Sequence, residues 1–340
     1  MHHTSDEFLS AIEAEPADRA RRLVFADWLD DHAQPERAGL IRVEEEMRLL
    51  PVFGDRFWEL KPRRNELREA AGAEWCGRMR YGTECEPVFR HGIPPDWRGR
   101  WRLIRAFTES WHGIPMGDVG GRLAEVEEAE KRLGRKLPPV VREWFVITEE
   151  LRGPNGVHDV LGEADLRGFP QQSAITITEY GSAPLAVLCG ISDNELDKPD
   201  PPLRCYLEDP PGTLSGADDV FIAKRVTDYL LREWLPRQFG GFHSFFTRAE
   251  IPPHLLDELK NSFPPPVVVT EEDYAHEFYE VENILAMQVI RLQPKPPHPS
   301  RYVAAKAFKQ LPREQVPSIL WEFAKLCSYP HGTFAPEEKT

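Results

Sequence analysis

Residues 130 to 145 read EKRLGRKLPPVVREWF, a helical run that stops at a glycine and restarts after two prolines. Upstream, Leu123, Val126, Ala129 and Leu133 recur at intervals of 3, 3 and 4, the stripe of an amphipathic helix. Glu127 with Lys131 and Glu128 with Arg132 are oppositely charged pairs one turn apart. Gly134 stands where a helix end takes a left-handed residue. Leu137 can staple the corner, and Pro138 and Pro139 pre-set the first turn of a second helix. Val140, Val141, Trp144, Phe145 and Ile147 supply the buried side of that helix. The spacing predicts a fixed corner between two packed helices. Prolines number 32 in 340 residues, about twice the usual ~5%. That density argues against a long helical bundle and for short elements joined by stiff turns.

The runs after the corner, AITITEY, PLAVLCGI, LRCYLE and DVFIA, are β-branched or aromatic with turn-rich spacers, and read as strands. RVTDYLLREWLP then reads as a helix with Val226, Tyr229, Leu230 and Trp234 inward. At the start of the chain, Thr4 and Glu7 have capping-box spacing, which opens a helix carrying Phe8, Leu9 and Ile12. Pro16 ends it. A second helix turns Leu23, Phe25, Ala26, Trp28 and Leu29 inward and leaves Arg21, Arg22, Asp27 and Asp30 for solvent. Pro35 starts a third, with Leu40, Val43, Met47 and Leu50 on one stripe. FWELKPRRNELREAAGAEWCGRM reads as one further helix. Near the C-terminus, IPPHLLDELKNSF reads as a helix and PPVVVT as a strand. Thr270 and Asp273 are placed to cap a helix from Glu271. ENILAMQVIRL has strand-like composition but can also continue that helix. REQVPSILWEFAKLCSYP reads helical through Pro317.

Two stretches resemble known families. FLSAIEAEPADRARRLVFADWLDDHAQPERAGLIRV is similar to the bacterial repeat-companion domain. Leu9, Ile12, Pro16, Asp18, Arg22, Leu23, Ala26, Asp27, Trp28, Leu29, Ile41 and Arg42 fit its pattern, and Phe25 replaces the usual tyrosine. That family has no established activity, so the likeness bears on architecture. The corner resembles the SUKH superfamily, which includes fungal cell-wall-synthesis regulators and bacterial toxin-immunity proteins. Glu130, Leu133, Gly134, Leu137, Pro138, Val141 and Trp144 carry its motif. Glu179, Gly190, Ile191 and the proline pairs Pro201–Pro202 and Pro210–Pro211 fit its strand half; Leu188 and Cys189 stand where a tryptophan is common. The resemblance implies an α+β fold of mixed helices with an antiparallel, twisted sheet, and a role in protein recognition. The expected organisation is a helical module over 1–50, a helical or irregular connector over 51–105, a SUKH-like domain over 106–250 and a C-terminal α+β extension over 251–340.

The formal net charge is -14. An acidic chain repels phosphate backbones, which disfavours direct nucleic-acid binding. Arg78, Arg80, Arg98, Arg100, Arg102 and Arg105 run against this, either as a solvated face pairing with nearby acids or as a docking patch for an acidic partner. The five cysteines, Cys76, Cys85, Cys189, Cys205 and Cys327, have no CxxC spacing, so neither a disulfide framework nor a zinc site is indicated. No signal peptide precedes the first helix, and no apolar run is long enough to span a bilayer. These features predict a cytoplasmic protein that does not enter a membrane.

No phosphate loop, GxGxxG, HExxH, GxSxG or EF-hand pattern is present in the sequence. The expectation is a non-enzymatic protein-binding module without cofactor or metal, of immunity type, that neutralises a cognate toxin. An acidic surface suits a basic toxin domain, because opposite fields speed encounter. Candidate contacts are the acidic strand ends: Glu179 and Tyr180 in one turn, Asp193, Asn194, Glu195 and Asp197 in the next, and Asp209, Asp218 and Asp219 flanking another. Two alternatives remain at this point. One is a regulatory scaffold using the N-terminal module. The other is a hydrolase with a dispersed site near residues 271–280, where Glu271, Glu272, Asp273, His276, Glu277 and Glu280 cluster. Trp28, Trp144 and Trp234 read as core, and Cys189 as a small buried hydrophobe.

Overall fold

The structure is a computed structural model. It describes residues 4–15, 18–81, 88–112, 123–143, 168–169, 174–180, 186–208, 214–231, 244–246, 251–270, 274–281, 283–291, 301–307 and 311–326. The chain divides into two units, Met1–Gly92 and Ile93–Thr340. The class is α+β.

The first unit is helical. Helices α1 (Ser5–Ala14), α2 (Arg19–Asp31), α3 (Pro35–Met47), α4 (Asp55–Ala71) and α5 (Ala73–Arg78) follow one another. Thr4 caps α1 in the expected box: Glu7 N–H donates to Thr4 Oγ1 at 3.4 Å, and Thr4 N–H donates to Glu7 Oε2 at 2.9 Å. Asp18 caps α2 in the same way through Arg21 N–H, at 3.0 Å. Leu9, Ile12, Phe25, Ala26, Leu29, Ile41, Leu67 and Trp75 form one core. Phe25 stacks on Phe8 and on Trp28, with ring centroids 5.0 and 6.0 Å away, and the last two are 5.7 Å apart, so the three rings form one cluster. The segment expected as one helix after residue 55 is two, because Gly72 breaks it with φ +87° and ends α4.

One expectation for α2 is overturned. Arg22 is 1% exposed, not solvated. It lies one turn before Phe25 and Ala26, so the helix period carries it inward with them. Its Nε is 3.6 Å from Glu45 Oε1 on α3, and its Nη1 donates to Met79 O at 3.3 Å. Glu45 is itself buried, with Arg48 at 3.4 Å and Arg19 at 4.0 Å. The guanidiniums of Arg22 and Arg48 lie over the Tyr81 ring. A charged cluster thus sits inside the helical unit, and burial pushes the Glu45 carboxyl above its ordinary range while Arg48 and Arg22 pull it down.

The second unit opens with α6 (Trp97–His112) and α7 (Leu123–Leu133), then α8, described over residues 139–143. Five strands follow: β1 (Gly168–Phe169), β2 (Ala174–Tyr180), β3 (Ala186–Ser192), β4 (Leu203–Glu208) and β5 (Leu214–Ala223), an antiparallel meander in chain order. Short α9 (Val226–Tyr229) widens into a looser turn through residue 231, with Val226, Tyr229 and Leu230 buried as expected. A second five-stranded antiparallel sheet, in order β6-β10-β9-β8-β7, holds β6 (Ser244–Phe246), β7 (Val267–Thr270), β8 (Tyr274–Val281), β9 (Ile284–Arg291) and β10 (Arg301–Ala307). Helices α10 (Pro253–Ser262) and α11 (Ser318–Lys325) cover one of its faces with Leu255, Leu256, Leu259, Ile319, Leu320 and Phe323, against Tyr279, Ile284, Ala286, Val303 and Ala305. Strand β6 precedes residue 250 yet belongs to this sheet, and α6 runs across residue 105.

Two further expectations fail here. Residues 274–281 are strand β8, not the helix expected from Glu271. The strand is buried on both faces, so Ala275, Phe278 and Tyr279 show no alternation and imitate a helical period. Pro317 does not lie within a helix but caps α11, where its missing N–H costs nothing. Among the described residues, no helix is long and apolar enough to cross a membrane.

Candidate partner-binding surface

The corner forms as its residue types dictate. Gly134 takes φ +67°. Gly134 N–H donates to Lys131 O and Arg135 N–H to Glu130 O, both at 3.2 Å, the paired closure of a Schellman motif. Leu137 is 3% exposed beneath it. Glu130, also buried, was not expected to be the clamp. Its Oε1 accepts from Leu137 N–H at 2.9 Å and lies 3.5 Å from Arg142 Nε, while Oε2 accepts from Lys136 at 2.7 Å. One carboxylate therefore ties the end of α7 to the start of α8. Val126 and Ala129 are buried as the stripe predicts, but Leu123 is 42% exposed. Lys131 pairs with Glu128, three residues back, rather than with Glu127. Trp144, Phe145 and Ile147 lie outside the described residues.

The corner holds a loop. Val140 N–H of α8 donates to Pro199 O at 3.3 Å, and Val226 N–H donates to Pro201 O at 2.9 Å. Between them, Asp200 accepts from Thr227 N–H at 3.1 Å and from Thr227 Oγ1 at 2.5 Å. Asp200 so caps α9 from another part of the chain. Next to it Asp228 is paired with Arg100, whose Nε donates to Pro94 O at 3.3 Å. Arg100 is therefore a buried strut of α6, not part of a solvated basic face. Arg78 pairs with Asp6 and Glu13. Arg98 lies over the Trp97 ring.

The pinned loop carries four of the expected contact residues. Asp193, Asn194 and Glu195 form a single 3-10 turn directly after β3. Asn194 and Asp197 are exposed, and Glu195 pairs with Lys198 at 3.1 Å. The other candidates lie elsewhere. Glu179 and Tyr180 are in β2, opposite Leu188 and Val187, and not in a turn. Asp218 and Asp219 are inside β5, where its register against β4 shifts. Asp209 lies outside the described residues. In this antiparallel meander the end of β2 lies beside the start of β3, and the loop 193–202 follows the end of β3. The seven residues of β3 separate the two groups by about 20 Å. They are two surfaces, and the second is anchored through Pro199, Asp200 and Pro201.

Asp200 does not fit a catalytic base. Both its oxygens are engaged by Thr227. Burial raises its carboxyl above the ordinary carboxylate range, the Thr227 bonds oppose that rise, and the neighbouring Asp228 charge adds to it. A raised carboxyl binds its proton more tightly in the folded state. Its contribution to stability is thus fullest below the ordinary value of about 4 and is lost as pH rises through the raised one. Asp200→Asn keeps an acceptor for Thr227 N–H and lacks the charge. It is expected to melt no lower than wild type at neutral pH, with a shallower dependence of melting temperature on pH. Asp200→Ala loses the cap and costs about 1 kcal/mol. Parallel pH profiles for wild type and Asp200→Asn would rule this account out.

Of the acidic cluster near residues 271–280, strand β8 carries His276, Glu277 and Glu280. His276 and Glu277 are adjacent in a strand and point to opposite faces. Glu277 accepts from Tyr279 Oη at 2.5 Å. Glu271, Glu272 and Asp273 lie outside the described residues. Cys189 stands opposite Cys205 in the β3–β4 register. Among the described residues, no group of three or more His, Cys, Asp or Glu side chains is placed to hold a metal ion. Comparison with protein-family models, with curated proteins and with solved structures finds nothing that matches the chain.

Proposed function

We propose that the chain is a protein-binding module of the SUKH type, and that it neutralises a basic partner, such as a toxin domain, by covering its working surface. The observation that carries this reading is the loop 193–201. It exposes Asn194 and Asp197 on a turn held at Pro199, Asp200 and Pro201 by α8 and α9. A surface loop fixed by its scaffold binds at low ordering cost. The net charge of -14 steers a basic protein toward it.

The test uses the full chain, tagged, against a lysate of its source cells, beside a variant carrying Asn194→Lys and Asp197→Lys. Wild type is expected to retain a basic protein in stoichiometric amount. With the purified pair, the double-lysine variant is expected to associate about tenfold more slowly at low salt, the gap narrowing as salt screens the charges. Its melting temperature should not move, since both side chains are exposed. Equal association rates for the two would remove the loop from the interface. Absence of any stoichiometric partner, together with turnover of a small substrate, would remove the binding reading altogether.

A further inference from the structure

The centre of the second sheet holds a polar group with no visible reason to be there. Gln288 is on β9, the middle strand of five, and is 0% exposed. Among the described residues, neither its Nε2 nor its Oε1 has a hydrogen-bond partner. Buried amides are nearly always satisfied, because water releases them only at a cost that a bond must offset. An amide orphaned at both ends therefore marks a missing partner.

The surroundings indicate what that partner is. Across the sheet Gln288 is opposite Glu277 on β8 and Val303 on β10. Directly opposed side chains leave the sheet on one face with Cβ atoms about 5 Å apart. That face is the one under α10 and α11, since Tyr279, Ala286 and Val303 belong to their core. Glu277 accepts the Tyr279 hydroxyl and is 3.9 Å from Lys260 of α10, whose side chain is half in solvent. A polar track so runs from solvent at Lys260, past Glu277, to Gln288. The Glu277 carboxylate disfavours an anion at its end. Lys260 already balances that carboxylate, which leaves no net charge to attract a cation. The amide itself offers one donor and one acceptor side by side, the complement of another neutral donor–acceptor edge.

We propose that Gln288 is the recognition head of an internal site that binds a neutral guest able to donate and accept at once, water or a carboxamide, held between the Gln288 amide and Glu277 beneath α10. The site is separate from the loop 193–201 and does not rest on the binding role given to that loop.

The test compares thermal melts of the full chain and Gln288→Met, with and without acetamide as probe, and adds a high-resolution crystal structure. Methionine matches glutamine in size and removes only the polar ends. If the amide holds a guest, Gln288→Met melts several degrees lower than wild type. Density then lies within about 3.2 Å of both amide atoms in the wild type. Acetamide raises the wild-type midpoint relative to the variant where a carboxamide fits, and leaves the difference unchanged where water alone occupies the site. The wild-type crystal structure reads the site directly, so the test stands even where Gln288→Met fails to fold. If Gln288→Met instead melts higher than wild type and the crystal shows nothing at the amide, the group is an uncompensated burial and the proposal falls.

Discussion

Glu45→Ala lowers the stability of the helical unit by about 3–5 kcal/mol, the cost of leaving a buried charge without its partner. Arg22 is 1% exposed and is left inside the unit by that change. It keeps its bond to Met79 O and loses the Glu45 carboxylate beside its Nε. The charge cannot be shed, because an arginine side chain does not deprotonate in a protein. The loss belongs to removing one partner and does not measure the pair's net worth. Arg22→Met combined with Glu45→Leu is therefore expected to regain most of it, since two apolar side chains can replace the pair without burying a lone charge. Hydrogen exchange of the α2 and α3 amides in the full chain reads both variants. Equal loss of protection in the single and double variants would show that the ion pair itself supplies the stability.

Phe323→Ala costs about 3–5 kcal/mol in the second unit. Phe323 is 0% exposed on α11 and belongs to the core between the two helices and the sheet. Its removal leaves a cavity lined by elements that cannot all close inward, since strands held by ladders on both sides move little. Exchange is expected to speed up in β9 and β10 and to stay unchanged in α2 and α3, which belong to the other unit. An unchanged β9 would mean that α11 contributes little to holding the sheet.

Much of the local structure was legible because single residues carry it. Thr4 and Glu7 announce α1, and Gly134 with Pro138 announces the corner. Other features were hidden because charge was read as exposure. Arg22, Phe25, Ala26 and Leu29 share one 3–4 spacing, as do Ala38, Ile41 and Glu45 on the facing helix. Opposite charges on two inward stripes were the available sign of a buried pair. Glu130 is a similar case: it fits the helix stripe and the family motif, but only coordinates reveal that it ties α7 to α8. Strand β8 was illegible for another reason. A strand covered on both faces has no polar side to alternate with, so register alone identifies it, through the Val281–Ile284 pairing and Asn283 at φ +57°. The candidate contacts were legible as acidic residues but not as a surface, because which strand ends meet depends on topology.

Strand β6 pairs with β10, Phe246 against Ala304, across about 60 residues of intervening chain. The hairpins β7–β8 and β8–β9 close between near neighbours. During translation, then, three strands can zip together while the β6 segment, already outside the ribosome, waits for residues 301–307 to emerge. Through that interval the outer rim of β9 is bare and can recruit a foreign strand. A frameshift shortly before residue 301 would release a truncated chain with that rim of β9 still bare.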